Sequence, residues 1–461
     1  MSIIAAFMVP HPPMIVPEVG RGSEKQVEKT IKAYEKVANE IAALKPETII
    51  ISSPHSVMYS DYFHISPGAV AVGSFAEFGA PQVSFDIEYD EELVNRIVDK
   101  AEVTHFPAGS LGEKNPSLDH GTMVPLWFIL KKYKAFKLVR TGLSGYDLLK
   151  HYEYGMRIKD AVESLGRKVV YVASGDLSHK LQSYGPYGFA EEGPVYDKRI
   201  MDVCSEARFG ELFDFDESFC QKAAECGHKS FVIMAGALDG RAVEATQYSH
   251  EDVTGVGYGI CSFVPKGEDE SRHFLNARLQ QVESELAEKR QKSDAWVKLA
   301  RASAEYFVKN GQELELPSWV PEELLNKRAG AFVSVHKFGA LRGCIGTIAA
   351  TKENLALEII HNAVSAISED PRFEPVTEDE LKYLDINVDV LGDAEKISSP
   401  AELDVKRYGV IVQSGYKRGL LLPDLDGVDT VEQQIAIARR KGGIAPGEEM
   451  ELFRFEVVRH Y

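Results

Sequence analysis

The chain has 461 residues, 44% apolar and 26% charged, with a formal net charge of −18. That length calls for two domains or three, and neither half carries the basic excess of a nucleic-acid binder. No apolar run reaches the roughly 18 to 20 residues that span a bilayer, and Met1-Ser2-Ile3-Ile4-Ala5-Ala6 lacks the basic region of a secretory signal. The five cysteines (Cys204, Cys220, Cys226, Cys261, Cys344) form no CxxC pair, so neither a disulfide framework nor structural zinc is expected. A reducing, cytoplasmic setting is.

Ile3–Val9 reads as a strand ending in Val9-Pro10-His11-Pro12-Pro13. Ser23–Leu44 repeats apolar residues at helical spacing (Val27, Ile31, Tyr34, Val37, Ile41) and predicts a helix. Thr48–Ser52 opens with four β-branched residues and predicts a buried strand that leads to His55. Phe136–Arg140 and Lys168–Ala173 read as further strands, the second running into Ser174-Gly175-Asp176-Leu177-Ser178-His179. Such β–α alternation predicts a layered α/β domain over 1–265 with a parallel or mixed sheet. A boundary is expected after Val264-Pro265, with a charged linker over 266–284 and a solvated helix over Asn276–Lys292. From 285 to 461 a helical pattern (Trp296, Leu299, Ala300, Ala304, Phe307) is followed by β-like runs, which predicts a smaller α+β domain.

Four histidines, His11, His55, His120 and His179, follow apolar runs at places where a strand would hand over to a loop. Ligands of open α/β sheets bind outside the carboxyl ends of the strands, so residues from distant segments can converge there. Two imidazoles and one carboxylate on one face make a non-haem Fe(II) site. His11 and His55 are the natural pair, and their flanking prolines restrict the backbone. Glu225 is the best placed carboxylate. Its neighbour Cys226 competes, and as a soft thiolate it would shift the preference toward Cu(I) or Zn.

His120 and His179 are then left as acid/base groups, since an imidazole titrates at about pH 6.5. Asp176 is expected to orient His179. His64, His105, His151, His250, His273, His336, His361 and His460 read as structural, and His228 stays open.

At these residues the first 265 or so positions resemble the class III extradiol dioxygenase superfamily, the LigB-type fold that also contains the Memo proteins. The His-Pro-Pro at His11, the Ser-Pro-His at His55, Asp119-His120-Gly121 with Val124-Pro125-Leu126, and Ser174–His179 match it in order. The resemblance implies Fe(II) held by His11, His55 and Glu225, proton transfer at His179, and His120 near substrate and oxygen. The substrate would be a small aromatic diol, opened with O2. In Memo-type members a Cys-Gly cysteine takes the third position, which here is Cys226.

Residues 285–461 resemble the AMMECR family through Leu341-Arg342-Gly343-Cys344-Ile345-Gly346, Glu369–Phe373, Gly419–Pro423 and Arg440–Ile444. That family has no settled activity. Within the motif, Arg342 could present a fork to a carboxylate or phosphate, and Cys344 could be a reactive thiol if its pKa is lowered. Relatives of the two families often occur beside a radical-SAM protein, which implies such a partner as a separate chain. Sheet proteins of this type often pair, which leaves a homo-oligomer open.

Overall fold

The computed structural model describes residues 2–425 and 427–461. Backbone contacts divide the chain into two compact units, Met1–Arg278 and Leu279–Tyr461. Among the described residues, no helix is long and apolar enough to cross a membrane.

In the first unit β1 (Ile3–Val9), β2 (Thr48–Ser52), β3 (Lys137–Thr141) and β4 (Val169–Ser174) pair in parallel. β5 (Arg241–Glu251) and β6 (Tyr258–Glu268) complete one side in antiparallel fashion, giving the order β3-β2-β4-β1-β6-β5. Every residue of β2 and β4 is buried. Strands covered on both faces read as unbroken apolar runs, which is why Ile49-Ile50-Ile51 shows no alternation. Helix α1 (Glu28–Leu44) lays Tyr34, Val37, Ala38 and Ile41 into this core. It ends at Lys45, in the left-handed region at φ 51°, just before Pro46, which disfavours helical backbone at the preceding residue. The helix begins later than the periodicity predicts, because Ser23–Val27 forms a 3-10 turn.

The parallel register sets up the site. Val9 lies opposite Ser174, and Ser52 lies opposite Ala173. The chain therefore leaves β1, β2 and β4 at one edge of the sheet, carrying His11, His55 and the 174–179 segment with it. Three further helices serve this edge: α2 (His120–Leu130), α3 (Glu192–Ser205) and α4 (His228–Ala237). The position expected for the boundary, after Pro265, lies inside β6, which continues through Lys266 to Glu268. The division between units falls instead within α5 (Phe274–Lys292).

The second unit has the helices α6 (Ala295–Asn310) and α7 (Leu355–Ser368) and an antiparallel sheet. Its strands are β7 (Ala331–Lys337), β8 (Ala340–Gly346), β9 (Leu384–Leu391), β10 (Tyr408–Ser414), β11 (Lys417–Leu421) and β12 (Glu451–His460). They run in the order β8-β7-β9-β12-β10-β11, with Glu395–Ile397 added beside β12. Val333, Val335, Ile386 and Val388 alternate onto the face that packs with α6 and α7, the period of a strand with one buried face. Helix α8 (Val431–Lys441) packs on β10 and β11.

Candidate metal centre

His11 Nε2, His55 Nε2 and Cys226 Sγ converge, all within 4.8 Å of one another. The two Nε2 atoms are 3.0 Å apart, and Sγ lies 3.6 Å from His11 Nε2. Bonds of about 2.0–2.1 Å to nitrogen and about 2.3 Å to sulfur, at tetrahedral angles, place N and S about 3.6 Å apart and two nitrogens about 3.3 Å apart. The His11–His55 and His11–Cys226 separations are close to these values, so His11 can share one transition-metal ion with either of the other donors, all three lying within 4.8 Å of one another. Of the three, His11 is the most enclosed and is buried at the floor of the site.

The His11 ring is oriented by a relay that starts at a proline. Pro125 sits inside α2 and has no N–H, so the carbonyl of Gly121, four residues earlier, lacks its helical donor. Ser174 Oγ donates to that carbonyl at 2.5 Å, which leaves its lone pairs for His11 Nδ1–H at 3.0 Å. With Nδ1 protonated, the Nε2 lone pair faces His55 and Cys226. A hydrogen bond at one ring nitrogen commonly fixes the other as the metal donor, and losing it costs about 10- to 100-fold in metal affinity. Ser174→Ala is expected to show a loss of that size in a competition titration against a chelator, and unchanged affinity would contradict the relay.

The expectation for Asp176 is corrected. Its Oδ1 accepts from the backbone N–H of His11 at 2.7 Å, so it braces a proposed ligand and not His179. Burial pushes its carboxyl up to about 7. Its backbone N–H also donates to Cys226 Sγ at 3.3 Å.

His120 is not at a strand end. It is the first residue of α2, behind Asp119, which caps the helix by accepting from Thr122 N at 3.0 Å. Its ring stands 4.1 Å from that of His55 and 5.4 Å from that of His11, centroid to centroid. His179 is close enough to His11 and His55 for charges on these rings to oppose one another. Its Nε2 is buried without a protein partner. Burial lowers the pKa of all four imidazoles, His55 and His179 to about 4. All four rings are thus neutral at pH 7, the state a metal ligand requires.

Glu225, the expected third ligand, stands outside the cluster of His11, His55 and Cys226. Its Oε2 accepts from His228 N at 2.6 Å and so caps the start of α4. Burial raises its pKa to about 7, opposed by the hydrogen bond from His228. The backbone at Ala224 is left-handed, with φ 54°. Past this turn Glu225 serves the helix while Cys226 serves the histidines. Cys226 is placed there by an unusually close meeting of two loops. A Cβ on Gly175 would lie 2.2 Å from Gly227 Cα, and Gly227 N donates to Asp176 O at 3.1 Å. His228 is structural, with its ring nitrogens on Tyr196 Oη and the Leu212 carbonyl.

In the second unit the Leu341–Gly346 motif is occupied by the fold. Arg342 makes a two-pronged bond to Glu380, at 3.1 and 3.0 Å. Lys337 joins them at 2.8 Å, and these partners hold Glu380 down at about 2. A Cβ on Gly343 would meet the Ala366 carbonyl at 2.0 Å, so the glycine lets β8 lie against α7. Burial raises the Cys344 thiol, which removes the lowered pKa that a reactive thiol would need.

Residues 5–261 match the family model described as the catalytic LigB subunit of aromatic ring-opening dioxygenase. Residues 297–460 match AMMECR1. A protein of Clostridium acetobutylicum is 41% identical over 468 residues, spanning 100% of this chain and 99% of its own. One from Thermotoga maritima is 52% identical over 167 residues, 36% of this chain and 96% of that relative. A solved, uncharacterised protein of Pyrococcus horikoshii superposes with a TM-score of 0.34 at 32% identity, covering 36% of this chain and 88% of that one. The mixed α/β unit has a dioxygenase-like fold, followed by a smaller α+β domain. The chain belongs to the LigB family, with an AMMECR1 domain in the same polypeptide.

Proposed function

We propose that the LigB domain holds a thiophilic metal, copper or zinc, through His11, His55 and Cys226, and works as a metal-dependent redox or ligand-binding protein. One observation carries this reading: a thiol, not a carboxylate, stands beside the two imidazoles, 3.6 Å from His11 Nε2. Two histidines and a carboxylate suit Fe(II), whereas a thiolate ligand moves the preference toward Cu(I) and zinc. The bound ion would supply positive charge, keeping Cys226 as a thiolate and polarising any oxygen ligand.

The protein's own groups do the rest. Ser174 and Asp176 hold His11, and the Gly175–Gly227 contact holds Cys226. His120 and His179 present neutral rings that accept a proton or a hydrogen bond from a bound hydroxyl. A reducing compartment belongs to the same proposal, because the ligand thiol must stay reduced.

A second reading is supported by the placement of His120 and His179 around the pair and by the family's ring-opening members. In it the site takes Fe(II), and the substrate is a small aromatic diol opened with O2. A radical-SAM protein would be a separate partner under either reading. Metal analysis of anaerobically purified protein distinguishes the two. One copper or zinc per chain, with no turnover of catechol, is the expected result. One iron per chain with ring cleavage would overturn the first reading in favour of the second.

A further inference from the structure

A cavity of about 260 Å³ opens beside the far end of α2 and shares no residue with the metal centre. His120 begins that helix, and Trp127, which lines the cavity, lies about 10 Å further along its axis. Three segments supply the apolar walls. Helix α1 gives Ile31, the turn Pro13–Ile15 gives Ile15, and α2 gives Trp127 and Phe128. Stacking fixes the aromatic wall. The Tyr34 ring lies on Phe128 with centroids 4.2 Å apart at 6°, and Trp127 meets Phe128 edge-on at 4.8 Å and 87°.

The rim of the cavity is cationic. Lys131 and Lys132 follow the last turn of α2, both exposed, and line the cavity beside one carboxylate, Glu35. Lys131 Nζ stands 2.9 Å from the centroid of the Trp127 ring. Among the described residues, neither ammonium has a carboxylate within ion-pairing distance. An ammonium over an indole face is attracted by the ring and keeps its N–H donors free for an incoming acceptor. Small-molecule sites are largely apolar enclosures with a few polar groups that fix orientation. Apolar walls with a surplus of positive charge at the rim suit a ligand with an apolar body and an anionic head.

We propose that this cavity is a second ligand site of the first unit and takes a small apolar carboxylate. The ligand's body lies against Trp127 and Ile31, and its charge meets Lys131 and Lys132. The assignment is independent of which metal the histidines hold, since no proposed ligand lines the cavity.

The test titrates the full chain with octanoate by calorimetry, beside 1-octanol and octylammonium, and follows tryptophan emission. Saturable binding of octanoate is expected, tighter than that of 1-octanol, with octylammonium weakest. Shortening the probe to hexanoate should weaken binding by about threefold for each CH2 removed. Lys131→Gln/Lys132→Gln is expected to weaken octanoate by about fivefold to tenfold and to leave 1-octanol unchanged. Ile31→Trp, which fills the cavity from its α1 wall, should abolish binding of both. Trp127 is one of three tryptophans, and Trp127→Phe should bind octanoate while losing the emission change. A parent protein without saturable octanoate binding would overturn the assignment, as would octylammonium bound as tightly as octanoate. So would parental octanoate affinity in the double lysine variant or in Ile31→Trp, or an emission change that persists in Trp127→Phe.

Discussion

Cys226→Ala is expected to lose its metal, while Glu225→Gln keeps it. The two residues are neighbours in the chain, but they do unrelated work. Cys226 Sγ is one of three donors within 4.8 Å of one another, and losing a direct ligand should cost more than the roughly 10- to 100-fold typical of a supporting residue. Glu225 instead accepts from His228 N at the start of α4. A glutamine oxygen can accept the same bond, so the substitution should cost about 1 kcal/mol of stability and leave the site occupied. Metal per chain after gel filtration, read by elemental mass spectrometry, checks both. A Glu225→Gln protein stripped of metal beside a fully loaded Cys226→Ala protein would reverse the assignment.

Gly175→Ala should be strongly destabilising to the first unit. The added carbon would lie 2.2 Å from Gly227 Cα and 3.2 Å from both Gly227 N and C. These obstacles are backbone atoms, which cannot rotate away as a side chain would. Relief requires moving the 225–228 turn off the end of β4, and that turn carries both Cys226 and the cap of α4. Overpacking of this kind costs about 3 kcal/mol, equivalent to a fall in melting temperature of roughly 6–10 °C in a unit of this size. Metal occupancy should fall with it. Gly188→Ala is the control: it carries a positive φ of 74°, which Gly175 does not, but a Cβ there meets nothing within 4 Å. Equal melting temperatures for the two variants would contradict the close-approach argument.

Much of the first unit is legible in the sequence because its parallel strands are short, apolar and β-branched. The residues just past β1 and β2 could therefore be placed at one sheet edge before any coordinates. His11 and His55 follow from that logic directly. His120 does not, because Asp119-His120-Gly121-Thr122 is a helix start: Asp119 caps Thr122, and the long apolar stretch behind it is α2. The pattern of an Asp three residues before a threonine was the available signal.

The choice between Glu225 and Cys226 lies beyond periodicity or composition. The two side chains follow one left-handed residue, Ala224, and take different partners, Glu225 the His228 N–H and Cys226 the histidines. Ser174 and Asp176 were visible as neighbours of His179, but their work on His11 depends on β1 and β4 pairing in register. In the second unit, the Leu341–Gly346 motif reads as chemistry in the sequence, while in the structure Arg342 spends its fork on Glu380 and Gly343 lets β8 lie against α7.

X-ray absorption at the edge of the metal bound by the purified, full-length protein tests the central claim most directly. One sulfur scatterer at about 2.3 Å together with two imidazole nitrogens at about 2.0–2.1 Å is the predicted coordination, with the sulfur absent from Cys226→Ser protein. A first coordination sphere of nitrogen and oxygen alone in the parent protein would contradict it and return the third position to a carboxylate.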